Sequence, residues 1–223
     1  YAYMEGNRIV VVTSTQIPHI VRRVVGQALG IPWAQVRIIK PYIGGGFGNK
    51  QDVLYEPLNA FLTQQLGGKL VWLELSREET MACTRVRHAI HAKAKALARS
   101  DGTLIARKIE MYSDQGGYAS HGHSICANTI TMFKQLYHDQ RVTEGDGYTV
   151  YTNHATAGAM RGYGIPQSAF FTECLMEDLA RKLSLDALEI RLKNCMPVGY
   201  VDPNTGIHAY SNAIRECVAK GRE

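Results

Sequence analysis

The chain has 223 residues, 45% of them in the hydrophobic set, which is enough to bury a core and fits one or two domains. A net charge of +5, from 25 Lys and Arg against 20 Asp and Glu, is spread along the chain and argues for solubility rather than nucleic-acid binding. No apolar run reaches the roughly 20 residues of a membrane helix, no secretory leader is present, and five widely spaced cysteines point to a reducing, cytoplasmic setting without a zinc or iron–sulfur pattern.

Asn7 to Thr13 is rich in Ile and Val and predicts a strand. Thr13, Ser14 and Thr15 then offer caps to a helix with Pro18 in its first turn and Gly30 as its stop. Gln16 sits at that strand-to-helix junction with an amide able to donate to an oxygen, or to serve as a local cap. A short strand over Val36 to Ile39 leads into Ile43 to Asp52, IGGGFGNKQD, and a helix follows over Glu56 to Leu66. Gly44, Gly45, Gly46 and Gly48 cannot bury side chains, so backbone can pass close to something large or polar there. Bare amides at such a turn bind anions. The spacing matches neither the dinucleotide fingerprint nor the phosphate-binding loop, since no Ser or Thr follows Lys50. A cradle for a polar cofactor and a tight structural turn both remain open on chemistry alone.

Lys69 to Leu75 predicts a buried strand, and Ser76 with Glu79 has the form of a capping box. From His88 to Arg99 small and basic residues alternate, which predicts a half-buried strand turning at Ser100-Asp101-Gly102 into a second one over Thr103 to Ser113. His88, His91, His121 and His123 lack partners at metal-ligand spacing. Gly116, Gly117, Ser120, Gly122 and Ser124 predict a loop before an apolar segment at Ile125 to Phe133, and Arg141 to Thr152 predicts more β structure. In Ala157 to Gln167, AGAMRGYGIPQ, Arg161 lies among small residues where a guanidinium and backbone amides can converge on one ligand, or pair with a structural carboxylate. Pro166 starts a helix with an apolar face of Ala169, Phe170, Leu175, Leu179 and Leu183. Ser184 is placed to cap a helix over Leu185 to Leu192, and Asp202-Pro203-Asn204-Thr205-Gly206 predicts a turn.

Thr13-Ser14-Thr15-Gln16, IGGGFGNKQD and AMRGYGIPQ, in that order, resemble the molybdenum-binding subunit of the xanthine dehydrogenase and aldehyde oxidase family, the molybdenum hydroxylases. The resemblance runs through essentially the whole chain. It implies an α+β fold of mixed sheets with packed helices, residues 1–223 forming the amino-terminal part of the molybdopterin-binding region, with two subdomains divided near residues 76–88. It implies a molybdenum–molybdopterin cofactor, in bacteria often the cytosine dinucleotide form, with [2Fe–2S] clusters and FAD in partner domains or subunits. Gln16 matches the glutamine near an oxygen ligand of the molybdenum, with no direct metal ligand in this chain. Gly46, Phe47 and Gly48 match the segment beside metal and substrate, Arg161 matches the loop arginine lining the cofactor, and Tyr163 takes the place of an aromatic that packs on the substrate ring. The implied reaction hydroxylates an electron-poor carbon with oxygen from water, purine first, with another N-heterocycle or an aldehyde as alternative substrates. Gln51 stands where xanthine enzymes carry a substrate-orienting glutamate, with Asp52 after it, and no Arg occurs in Ser124 to Met132, where those enzymes have one. The family's catalytic glutamate sits in a Gly-x-Gly-Glu motif that these residues lack, so no catalytic residue is assigned here, and Glu56, Glu79 and Glu173 are not given its role. The isolated chain is accordingly expected to be inactive. A non-catalytic module that carries or assembles the pterin is the reading from another class.

Overall fold

The computed structural model describes residues 1–134, 136–138, 141–203 and 206–223. It is a mixed α+β fold with two three-stranded sheets and helices packed on them, divided into two compact units. The first unit comprises residues 1–89, 114–122 and 150–163, and the second residues 90–113, 123–149 and 164–223.

In the first unit, β1 (Ala2–Glu5) and β2 (Arg8–Val12) pair antiparallel across a two-residue turn whose Gly6 takes φ 60°. That sign of φ matches the right-handed twist of the strands. A helix, α1 (Pro18–Leu29), crosses from β2 to β3 (Val36–Ile39), which pairs parallel to β2. Pro18 lies in the first turn and Gly30 closes the helix in the left-handed conformation, as the spacing predicts. Ile9 and Val11 of β2, Val21 and Val25 of α1, Val36 of β3 and Ala60 of α2 (Glu56–Gln65) form one buried cluster. Each buried valine contributes about 1.5–2 kcal/mol to the folded state.

β1 has no counterpart among the sequence expectations, because Ala-Tyr-Met-Glu is short and carries little β signature, and one expectation fails in this unit. Lys69 to Leu75 is not a buried strand: only Val71 makes a bridge, to Ala2, while Leu70 and Trp72 are 63% and 69% exposed. Its apolar content is therefore surface in this chain. The capping box forms in full at the start of α3 (Arg77–Cys83), with Ser76 Oγ accepting from Glu79 N and Glu79 accepting from Ser76 N.

In the second unit, β4 (Ala89–Ala98) alternates exposed and half-buried along its length, and the sheet order is β4-β5-β6, with β5 at Leu104–Asp114 and β6 at Val142–Val150. Helix α4 (Gly122–Lys134) takes in the apolar segment and begins in what the sequence predicts as loop. Helix α5 (Ile165–Leu183) starts with Pro166 in its first turn, but its buried stripe is Ser168, Thr172, Met176 and Ala180. Leu175, Leu179 and Leu183 are only half-buried, and Ala169 and Phe170 are exposed. Three of the four buried residues, Ser168, Thr172 and Ala180, are small, and Met176 is the large apolar one. Ser184 ends α5 in the left-handed conformation, and Asp186 caps α6 (Ala187–Asn194), accepting from Leu188 N and Glu189 N. The predicted capping role of Ser184 thus belongs to Asp186, whose carboxylate accepts from both amides. Helix α7 spans Ile214–Arg222. In the predicted turn, Gly206 N donates to Asp202 O at 2.8 Å, whereas Asn204 and Thr205 lie outside the described residues. Among the described residues no helix is long and apolar enough to cross a membrane.

Candidate functional site

Three loops of the first unit converge: Thr13–Gln16 after β2, Ile43–Asp52 after β3, and Ala157–Tyr163. Backbone ties them. Gln16 N donates to Lys50 O at 2.8 Å, and Gly158 N donates to Val86 O at 3.0 Å. Arg87 Nη2 donates to Arg161 O at 2.6 Å, fixing the third loop again. The expected side-chain cap of α1 does not form: Ile17 precedes the helix without a side-chain cap bond, Thr15 accepts from Ile17 N at 3.0 Å just outside it, and Thr13 donates to Glu56 at 2.9 Å.

Glycine is required at Gly48, and at Gly46 any side chain would displace Gln16. A Cβ on Gly46 would lie 2.3 Å from the Gln16 side chain. One on Gly48 would lie 2.6 Å from the Ala159 carbonyl oxygen, and Gly48 also has φ 97°. The glycine loop is therefore pressed against both its neighbours. Lys50 turns back and donates to Ile43 O at 2.7 Å, closing the loop on itself. Gln16 Oε1 accepts from Gly48 N at 3.3 Å, which sets the orientation of the amide: oxygen toward the loop, NH2 away from it.

Phe47 and Tyr163 share an unusual feature. Both are aromatic residues in the left-handed region, at φ 52° and 48°, and both are followed by a positive-φ glycine. Such strain costs about 1–3 kcal/mol per residue and collects at functional sites. Phe47 is 62% exposed, and the Arg161 guanidinium carbon stands 5.7 Å from its ring centroid. Gln51 ends a short 3-10 turn over Asn49–Gln51, its N–H donating to Gly48 O at 2.9 Å. The structure thus brings Gln16, Gly46, Phe47, Gly48, Gln51, Arg161 and Tyr163 into one unit on three tied loops.

Sequence reasoning did not foresee the polar cluster beneath these loops. Asp52 pairs with Arg85 Nε at 2.9 Å, accepts from Ser120 Oγ at 3.0 Å, and has His121 Nε2 at 3.8 Å. His121 Nδ1 in turn meets the Tyr163 hydroxyl at 2.8 Å. Arg85 and Ser120 lie far from Asp52 in sequence, Arg85 just after α3 and Ser120 in the segment between β5 and α4. Nearby, burial pushes the His88 imidazole below its usual pKa, against the opposing pull of Asp114. Asp114 is itself held at about 2, chiefly by the Thr152 hydroxyl, with His154 and Gly116 N also bonded to it.

The three glutamates weighed as bases have structural partners. Glu56 accepts from Thr13 Oγ1, Leu54 N and Tyr55 N, Glu79 caps α3, and Glu173 binds Tyr137 and Arg191. Among the described residues no group of three or more His, Cys, Asp or Glu is arranged to hold a metal ion.

A family model, the molybdopterin cofactor-binding domain, matches residues 1–195. The chain is 50% identical over 223 residues to the xanthine dehydrogenase molybdenum-binding subunit of Escherichia coli O157:H7, covering 100% of this chain and 30% of that protein. It is 36% identical to the nicotinate dehydrogenase large molybdopterin subunit of Eubacterium barkeri, covering 99% of this chain and 52% of that one. The solved aldehyde oxidoreductase of Desulfovibrio gigas has the same fold, with a TM-score of 0.90 at 29% identity over 99% of this chain and 24% of that chain. The chain therefore spans about half or less of the proteins it matches.

Proposed function

The chain belongs to the molybdopterin cofactor-binding domain family, and from that premise we propose that it forms one wall of the cofactor pocket in a molybdenum hydroxylase acting on a flat N-heterocycle or an aldehyde. The observation that carries this reading is the Gln16 amide. Its oxygen is engaged by Gly48 N, so it presents a neutral N–H donor on the other side, suited to steadying an oxygen without adding charge. The group fits the residues present: glycine at 46 and 48 keeps the loop free of side chains where backbone must come close, and no side-chain metal ligand is needed because the dithiolene of the pterin holds the metal.

When bound, the molybdenum centre supplies two-electron oxidation, with water-derived oxygen added to an electron-poor carbon and electrons leaving through iron–sulfur and flavin partners. This chain's residues bind and orient. Gln16 donates to an oxygen on the cofactor side, and Phe47 with Gly48 lets the backbone approach closely. Arg161, held over the Phe47 ring, places positive charge along the pterin side of the loops. Tyr163 offers an aromatic face to a planar substrate, and Gln51 a hydrogen-bonding amide to its ring nitrogen or carbonyl.

The proposed substrate class is broader than purine, because the similar proteins are named for a purine, for nicotinate and for aldehydes. Purine is the narrower reading, favoured by the 50% identity to the E. coli subunit. Molybdenum and pterin analysis of the protein purified with all its domains and partners, followed by anaerobic reduction with xanthine, nicotinate and benzaldehyde, tests both. Cofactor present with reduction by any of the three supports the proposal, and the fastest of them names the class. Absence of metal and pterin overturns it.

A further inference from the structure

The polar cluster of Asp52, Arg85, Ser120 and His121 reaches one of the site's aromatic rings. Asp52 is the last residue of the glycine loop, and its carboxylate is held by Arg85 at 2.9 Å and Ser120 at 3.0 Å, with His121 Nε2 beside it at 3.8 Å. Asp52 and Arg85 side chains are only 15% and 19% exposed, so the pair is shielded from salt and competing water. A Cβ at Gly158 would lie 2.7 Å from Arg85 Cγ and 2.8 Å from Asp52 Oδ2, so the third loop is seated directly on this pair. The carboxylate beside Nε2 favours the tautomer with its proton there, which leaves Nδ1 as acceptor for the Tyr163 hydroxyl at 2.8 Å. His121 and Tyr163 also meet edge to face, with ring centroids 5.6 Å apart at 81°.

We propose that His121, with the Asp52 carboxylate beside its other nitrogen, clasps the Tyr163 ring in one orientation. Tyr163 sits in the left-handed region between two positive-φ glycines, and its hydroxyl meets His121 Nδ1. The consequence for substrate rests on the assignment of Tyr163 to the substrate face: a ring locked in place binds a planar molecule without first losing its own freedom. His121 is then a positioning residue that touches Tyr163 and not the reacting atoms.

The test uses the full-length, cofactor-loaded protein labelled with 3-fluorotyrosine, with the Tyr163 resonance assigned by its loss in Tyr163→Phe. In His121→Ala the Tyr163 fluorine signal shifts and sharpens, and KM for the fastest of xanthine, nicotinate and benzaldehyde rises about three- to tenfold, the worth of one neutral hydrogen bond. The value of kcat stays within about twofold. His121→Asn, whose amide reaches the position of Nδ1, restores both. An unchanged fluorine signal in His121→Ala, or a His121→Asn variant no better than His121→Ala, overturns the clasp. A shifted signal with unchanged KM keeps the clasp and removes Tyr163 from the substrate face, so the two claims fail separately.

Discussion

Glycine is used in opposite ways at the Gly48 loop and in β6. At Gly145 and Gly147 an added Cβ would lie 2.5 Å from Ile130 Cγ2 and 2.6 Å from Cys126 Sγ, so glycine there lets α4 lie against the strand. Neither residue has a positive φ. At Gly48 the crowding atoms are the carbonyl and amide of another loop, and φ is 97°. Missing side chains serve apolar packing in one place and the approach of polar backbone, in a conformation closed to other residues, in the other. Gly145 and Gly147 belong to a packed core, whereas Gly48 belongs to a loop whose neighbours are polar backbone and whose flanking aromatic is strained.

The sharpest way to break this contrast is Gly48→Ala. It meets both the left-handed penalty and a backbone neighbour that cannot swing aside, so we expect a loss of about 4 kcal/mol in denaturant unfolding, together with loss of pterin. Asp52→Ala comes next. It leaves Arg85 shielded and unpaired, which costs about 3 kcal/mol, and Asp52→Asn should recover part of that because the amide still accepts from Ser120. Gly145→Ala is expected to cost about 2 kcal/mol by overpacking against Ile130 while pterin content stays at the wild-type level. Equal pterin loss in Gly145→Ala and Gly48→Ala would erase the distinction.

The smallest effect is acid sensitivity. Asp114 has a folded pKa of about 2, below its ordinary value, so its stabilisation is in force above about pH 4 and is lost as pH falls toward 2. Thr152→Val removes the largest cause of that depression, and its thermal midpoint should consequently fall less steeply than wild type over this range. An identical slope would show that the Thr152 hydroxyl does not hold the charge.

Much of the fold was legible because it rests on local signals. Pro18 and Gly30 bracket α1, Ser76 and Glu79 form their box, and the alternation after His88 is β4. The failures share a cause. The segment Lys69 to Leu75 has the composition of a strand, but a strand needs a partner, and only Val71 finds one. Along α5 the buried stripe includes Ser168 and Thr172, whose side chains carry no hydrophobic signature of it. The candidate site divides similarly. Gln16, the glycine loop and Arg161 stand out as motifs, and Asp52 was visible only as the residue after Gln51. Its partners Arg85, Ser120 and His121 are 33, 68 and 69 positions away, separations that no sequence spacing discloses.

The central claim is that Gln16 presents an oriented, neutral donor to a molybdopterin cofactor, and Gln16→Glu tests it most directly. The carboxylate can still accept from Gly48 N, so folding is preserved, but the donor is replaced by negative charge. The account predicts an unchanged thermal midpoint and anaerobic reduction by substrate slowed about 10- to 100-fold, the scale on which residues supporting a metal site act. Reduction at the wild-type rate in the loaded variant would contradict it.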